Sequence, residues 1–227
     1  MGEQEHRLVR EKGLRFFGRI TASLSHEINN VIAIVGELSG LLDDLLLASE
    51  RGKPIPTEKL RNISEKIRNQ VKKGESVIKR LNRFAHSIDE PVKQFDLREL
   101  MQEVDSIAQR FAVLKEIRLE TNLPDSPLMV NSNPFRLQHA IFTCLELALD
   151  ASAKEETVSL TFERDGEGAK ILTTSRQPLA ATKDVAAKLS FLSILMEELG
   201  GTAESRGNDS RHTLTLSIPK SISAADQ

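Results

Sequence analysis

Tryptophan and tyrosine are absent from this 227-residue chain, and nine phenylalanines supply all of its aromatic side chains. The stacking platforms that hold single-stranded nucleic acid are therefore missing. Neither sign of charge is in excess: 31 basic against 33 acidic residues leave a formal net charge of −2. No global field draws the chain to nucleic acid or to an acidic membrane surface. A single cysteine, Cys144, excludes an intramolecular disulfide. No run approaches the ~20 apolar residues needed to span a bilayer, and the richest, Leu41 to Ala48, is interrupted by Asp43 and Asp44. No cationic stretch followed by an apolar run and a cleavage site opens the sequence. We therefore expect a cytoplasmic protein with neither nucleic acid nor membrane among its partners. What is present is an ordinary globular mixture, 39% hydrophobic and 28% charged, in a length that suits one large domain or two small ones.

From Gly13 to Leu46 there is no proline, and Phe17, Thr21, Leu24, Ile28, Val31, Val35, Leu38, Leu42 and Leu45 step by alternating fours and threes. That heptad seam predicts a long helix packed lengthwise against partners. Gly52, Pro54 and Pro56 stop it. Thr57 is then a candidate N-cap, and Leu60, Ile63, Ile67, Val71, Gly74, Ile78, Leu81, Phe84 and Ile88 continue the spacing down a second helix. A lone hairpin encloses no core, and Ile20, Ile32, Ile34, Leu41 and Val77 widen the apolar face. Two chains pairing into a four-helix bundle would bury it, as would a later helix of the same chain.

Beyond Pro91 the pattern alternates. Helices are predicted near Leu97 to Leu114, Pro134 to Ala151 and Lys183 to Leu199. Strands are predicted at Ile117 to Thr121, Thr157 to Glu163, Ala169 to Thr174, Thr202 to Ser205 and His212 to Ile218. Asp165 to Gly168 fits a hairpin turn, Gly200-Gly201 closes a helix, and Gly207 to Asp209 turns between the last strands. The fold class is α+β: a long helical hairpin over residues 1–90 that dimerises into a four-helix bundle, then an α/β sandwich over 91–220 and a loose tail over 221–227.

On a wheel advancing about 100° per residue from Leu24, His26 falls near 200° and Asn30 near 240°, both away from the seam. Arg19 and Glu37 share that outward face, and Ala22, Ser23 and Ala33 beside it are small, which leaves the imidazole open to an incoming macromolecule. A plain surface histidine fits the same geometry. Neutral imidazole, with an ordinary pKa of ~6.5, keeps a lone pair that can attack phosphorus near pH 7. A carboxylate accepting from Nδ1 would leave Nε2 free and stabilise the charge that develops, and Glu27 is the local candidate. Asn30, one turn on, can orient a water or a phosphoryl oxygen.

The stretch Ser23-Leu-Ser-His-Glu-Ile-Asn-Asn30 closely resembles the phosphoacceptor box of bacterial sensor histidine kinases, with Val31 where that family usually has proline. Leu81 to Ala85 and Phe95 to Leu100 resemble the family's dimerisation hairpin and linker. Asn133 to Gln138 followed by Ala148 to Ala151 is similar to the start of its ATP-binding domain. There the resemblance breaks down. The position where the family holds magnesium with an asparagine carries Leu147, which offers no oxygen to a hard cation. The family's Asp-x-Gly-x-Gly loop is replaced by Thr173 to Pro178, without aspartate or glycine. Only Leu179 to Ala187 stands where a glycine-rich lid would follow, and no P-loop pattern compensates.

The chain thus resembles the histidine phosphotransferases built from degenerate kinase folds. The resemblance implies a homodimer in which His26 relays phosphate between the aspartates of response-regulator receiver domains. Glu27 would orient His26, Asn30 would assist, and Arg19, Ala22, Ser23, Ala33 and Glu37 would form the docking face. It implies no cofactor bound by this chain, the magnesium coming from the receiver. The alternatives are an active histidine kinase with an atypical pocket and a non-catalytic adaptor that binds a receiver or a kinase. Elsewhere, His6, His86, His139 and His212 lack the paired spacing of zinc sites and read as surface or packing residues. Gly36 and Gly40 suggest a close helix approach, and Cys144, among Phe142, Leu145 and Leu147, a buried small hydrophobe.

Overall fold

A computed structural model of the chain describes residues 2–208 and 211–222. They fall into two compact units, one of Phe17–His86 and the other of Met1–Phe16 with Ser87–Gln227.

The first unit is made of two helices. Helix α1 (Glu3–Glu50) begins in the other unit and supplies residues 17–50 here, and α2 (Thr57–His86) follows the expected break. Thr57 is already helical and follows Pro56, so it is the first residue of the helix and not its cap. Phe17 stacks on Phe84 with centroids 5.5 Å apart, and Val31 meets the space above Gly74, so the helices run antiparallel. The seam is rotated from the one predicted. Ile20 and Val77, expected beside it, are fully buried, whereas Val71 and Ile78, expected on it, are about half exposed. The close approach is at Gly74, where an added Cβ would lie 3.3 Å from Val31 Cγ1. Gly36 and Gly40 face open space and support no close approach within this chain.

The second unit is an α/β sandwich. Its larger sheet has the order β2-β4-β5-β7-β6, built from β2 (Arg118–Asn122), β4 (Thr157–Asp165), β5 (Gly168–Ser175), β6 (Thr202–Asn208) and β7 (Arg211–Ile218). Only β2 and β4 pair in parallel. The β4–β5 turn needs Gly166 at φ +57°, as the sequence suggests. Residues 209 and 210 of the last turn lie outside the described residues.

Helices α3 (Leu97–Leu114), α4 (Pro134–Ala151) and α5 (Lys183–Glu198) pack together on this sheet. Asp96 caps α3, Asn133 caps α4 with Pro134 in its first turn, and Thr182 caps α5. Apolar residues all round α4 make it the central helix, with Leu137, Ile141, Leu145 and Leu147 at 1% exposure or less. A small sheet of β1 (Lys93–Asp96) and β3 (Met129–Ser132) was not foreseen; four-residue strands carry too little alternation to show in the sequence. Asn131 of β3 also pairs with Ser221: its N–H donates to the Lys220 carbonyl and its own carbonyl accepts from Ile222. Ser221 and Ile222, expected in a loose tail, are thus tied to the fold, and 223–227 lie outside the described residues.

The opening stretch of α1 belongs to this unit. Val9 and Phe16 are buried, and Phe16 packs against Phe135, His139 and Phe142 of α4. At the other end of this stretch His6 Nδ1 lies 3.2 Å from Glu198, whose side chain is 2% exposed and also meets Arg136 at 3.1 Å.

Candidate functional site

The uninterrupted helical run of α1 gives His26 a fixed direction, and the structure leaves it exposed. Arg19, Ala22, Asn30, Ala33 and Glu37 are exposed as well, and Ser23 is half-buried. Glu27, next in sequence, turns about 100° away from His26 around the helix, as adjacent helical residues must. Its direction is toward α2, where Arg80 Nη2 donates to Glu27 Oε2 at 2.9 Å. Both side chains are largely shielded, 20% exposed for Arg80 and 16% for Glu27. Charge-assisted bonds of this length are stronger than neutral ones, and shielding reduces the screening by water.

Arg80 was missed from the sequence. A signal was available: a hairpin folded about residues 53 and 54 brings position 27 opposite position 80. The cationic character of α2 hid it, because Lys79 and Arg83 flank Arg80 and the three look alike without a partner to distinguish them.

In the other unit, α4 packs against both β5 and α5. Leu147 is 1% exposed and Cys144 is likewise buried. Burial holds the Cys144 thiol far above the usual thiol range, so it stays protonated. Thr173 and Ser175 of β5 are buried, and Ser175 donates to the Gln177 carbonyl at 3.0 Å. Residues 176–182 cross directly from β5 to α5. Lys188 of α5 bridges Asp150 of α4 at 3.3 Å and Asp184 at 3.2 Å, and Lys115 meets the other oxygen of Asp150 at 2.9 Å. Burial pulls the Lys188 ammonium down, but the bond to Asp184 and the charges of Asp150 and Glu146 outweigh it and raise its pKa.

Among the described residues, no group of three or more His, Cys, Asp or Glu is placed to hold a metal. The remaining histidines are where packing puts them: His139 is stacked on Phe16, His6 bonds Glu198, and His212 Nε2 lies 2.9 Å from Ser205 Oγ. His86 is exposed. No helix among the described residues is long and apolar enough to cross a membrane.

No protein-family model matches the chain. It is 26% identical over 217 residues to the C4-dicarboxylate transport sensor protein DctB of Pseudomonas aeruginosa, covering 87% of this chain and 34% of that protein. To the phosphoglycerate transport system sensor protein PgtB of Salmonella typhimurium it is 24% identical over 179 residues, covering 75% and 25%. The chain therefore spans about a third and a quarter of the length of these relatives. Among solved structures, the catalytic domain of histidine kinase ThkA superposes with a TM-score of 0.53 at 16% identity, over 59% of this chain and all of that one. A histidine kinase from Burkholderia phymatum superposes with a TM-score of 0.52 at 16% identity, over 91% and 98%. The chain carries the histidine-kinase catalytic-domain fold, and the sequence relatives it matches are transport sensor proteins.

Proposed function

We infer that the chain is a histidine phosphotransferase of a two-component phosphorelay, taking phosphate onto His26 from a receiver-domain aspartate and returning it to another, without using ATP. The observation that carries this reading is Leu147: a buried aliphatic side chain stands on α4 where the kinases that the sequence resembles place a magnesium-binding asparagine. The residues around it do not fit magnesium-ATP. A hard cation needs oxygen ligands, Asp150 is held between two lysines, and the seven residues 176–182 provide no lid. The phosphoacceptor end is in the opposite condition, with His26 exposed and a charged pair beside it.

In the transfer, the Nε2 lone pair of neutral His26 attacks the phosphorus of an aspartyl phosphate. The N–P bond forms as the P–O bond breaks, the electron pair leaves with the aspartate carboxylate, and the proton on Nδ1 stays on the ring. Glu27 would favour that imidazolium, and a magnesium ion brought by the receiver would supply charge stabilisation for the phosphoryl group. Because both phosphates are reactive, alignment is the main requirement and the direction is reversible. Arg19, Ala22, Ser23, Ala33 and Glu37 form the docking face. The half-exposed Val71 and Ile78, with Ile32 at 63%, support a second copy completing a four-helix bundle.

The test is incubation of the chain with magnesium-ATP and, separately, with a phosphorylated receiver, followed by detection of acid-labile phosphate. Label from the receiver alone, lost in His26→Gln, is the expected result. The retained catalytic-domain fold favours a second reading, an active kinase with an altered pocket, and label from ATP on His26 would select it.

A further inference from the structure

We propose that β6 is a docking edge for a second copy of this chain, the two β6 strands pairing antiparallel about a twofold axis at Ser205. The inference goes beyond the phosphotransfer reading and does not depend on it. β6 is an outer strand of the larger sheet, with β7 on one side and, among the described residues, no strand on the other. Alternate residues of such a strand turn N–H and C=O away from the sheet, a ready template for another strand. Six of its seven residues are exposed, and Ala203 is half-buried. The opposite outer strand, β2, is guarded: Leu119 is buried and its carbonyl accepts from Gln109 of α3 at 3.2 Å. β6 shows none of the usual devices that blunt an edge. Its register against β7 runs one to one from Thr202 to Asn208 without a bulge, and it contains neither proline nor lysine. On the helix side α5 packs on β6 but leaves a cavity of about 250 Å³ over Cys144, Leu192 and Leu214, bordered by Ala203 and Ser205.

The order of charges selects a second copy as the partner. Glu204 and Arg206 stand on one face of the strand, on either side of Ser205, and bond each other at 2.8 Å with their side chains 50% and 82% exposed. Residues directly opposite across an antiparallel pair share a face. In a pairing centred on Ser205, Glu204 of each chain therefore meets Arg206 of the other. Ser205 faces its own counterpart and Ala203 faces Gly207, so no bulky side chain crowds the helix side. Centring the pair on Glu204 or on Arg206 would instead set like charges face to face, which is destabilising. The backbone hydrogen bonds supply the attraction, and the exposed ion pairs supply mainly the register. Because the strand is its own partner, the interface is isologous and closes at two copies.

Sedimentation equilibrium of the whole chain, at concentrations up to about 1 mM, reads the proposal. Wild type should reach at least twice the mass of Glu204→Arg or of Arg206→Glu, whatever the hairpins contribute, because either reversal opposes like charges at both ion pairs. An equimolar mixture of the two single variants should regain the wild-type mass, since each carries the sign that the other lacks, and so should the double reversal in one chain. A second measurement captures a weak pairing. Ser205→Cys, at the axis, should form an interchain disulfide under mild oxidation about tenfold faster than Thr202→Cys, which the register sets opposite Asn208. Cys144 is buried and does not compete. If a reversal unfolds the chain, the two cysteine variants decide alone. Equal mass in wild type and single variants together with equal crosslinking at the two positions would overturn the proposal, and so would a mixture that stays dissociated while wild type assembles.

Discussion

Phe16 lies face to face on His139, with ring centroids 4.4 Å apart and planes within 3° of each other. The contact joins α1 to the central helix of the sandwich and places the imidazole in an aromatic cluster with Phe191, 5.0 Å away. It makes His139 a packing residue and makes the opening stretch of α1 part of the domain core. Phe16→Ala should cost about 3–5 kcal/mol, read as a lower denaturation midpoint, and a shift under 1 kcal/mol would show that α1 is dispensable there.

Asparagine at position 147 should not by itself confer binding of magnesium-ATP. Leu147→Asn places an amide in an apolar interior and should destabilise the domain by about 3 kcal/mol. Calorimetric titration with magnesium-ATP should still show no heat of binding, because residues 176–182 and the Lys188–Asp150 bridge are unchanged. Micromolar binding by this variant would mean that Leu147 alone closes the pocket.

His26 is exposed, so His26→Gln should leave the melting temperature within the range of an ordinary surface substitution, about 0.5 kcal/mol, while phosphate uptake disappears. Asn30→Ala should keep uptake, and should lose any release of free phosphate if the amide orients a water there. Phosphate uptake retained by His26→Gln would remove the acceptor assignment.

Removing one of the two partners of Glu198 leaves a buried carboxyl group short of a hydrogen-bond donor. The carboxylate is 2% exposed and is held by His6 and Arg136. Arg136→Met should destabilise by about 2 kcal/mol, and adding Glu198→Leu should recover part of the loss. Urea unfolding of the two variants checks this, and further destabilisation in the double variant would count against it.

Burial lowers the His212 pKa, so the folded chain binds its proton less readily than the unfolded one. The stabilising contribution is therefore complete above the ordinary histidine pKa of ~6.5 and lost as pH falls below it through the lowered folded value. His212→Gln should flatten the fall in melting temperature between about pH 7.5 and pH 5, and an unchanged slope would assign that fall to other groups.

How much was legible depended on whether the information was local. Helices α3 and α4 begin and end where their caps and periodicity place them, since Asp96, Asn133 and Pro134 act on their own first turns. His26 is outward because helix geometry alone fixes its angle from Leu24. The rotated seam, with Val77 inward in place of Ile78, was not legible, because both residues are apolar and a few tens of degrees of helix rotation decide between them.

The amino-acid order by itself determined the outward direction of His26 and Asn30 and which side chains stand at positions 27 and 147, because each is a matter of which residue occupies which place in a helix. Tertiary structure decided that Arg80 of α2 meets Glu27, which carboxylate is shut in with His6, and how β1 finds β3. Those are contacts across 53, 192 and about 37 positions, and only the packing of whole elements, minimising exposed apolar surface while pairing every charge it encloses, selects one partner from many chemically equal ones.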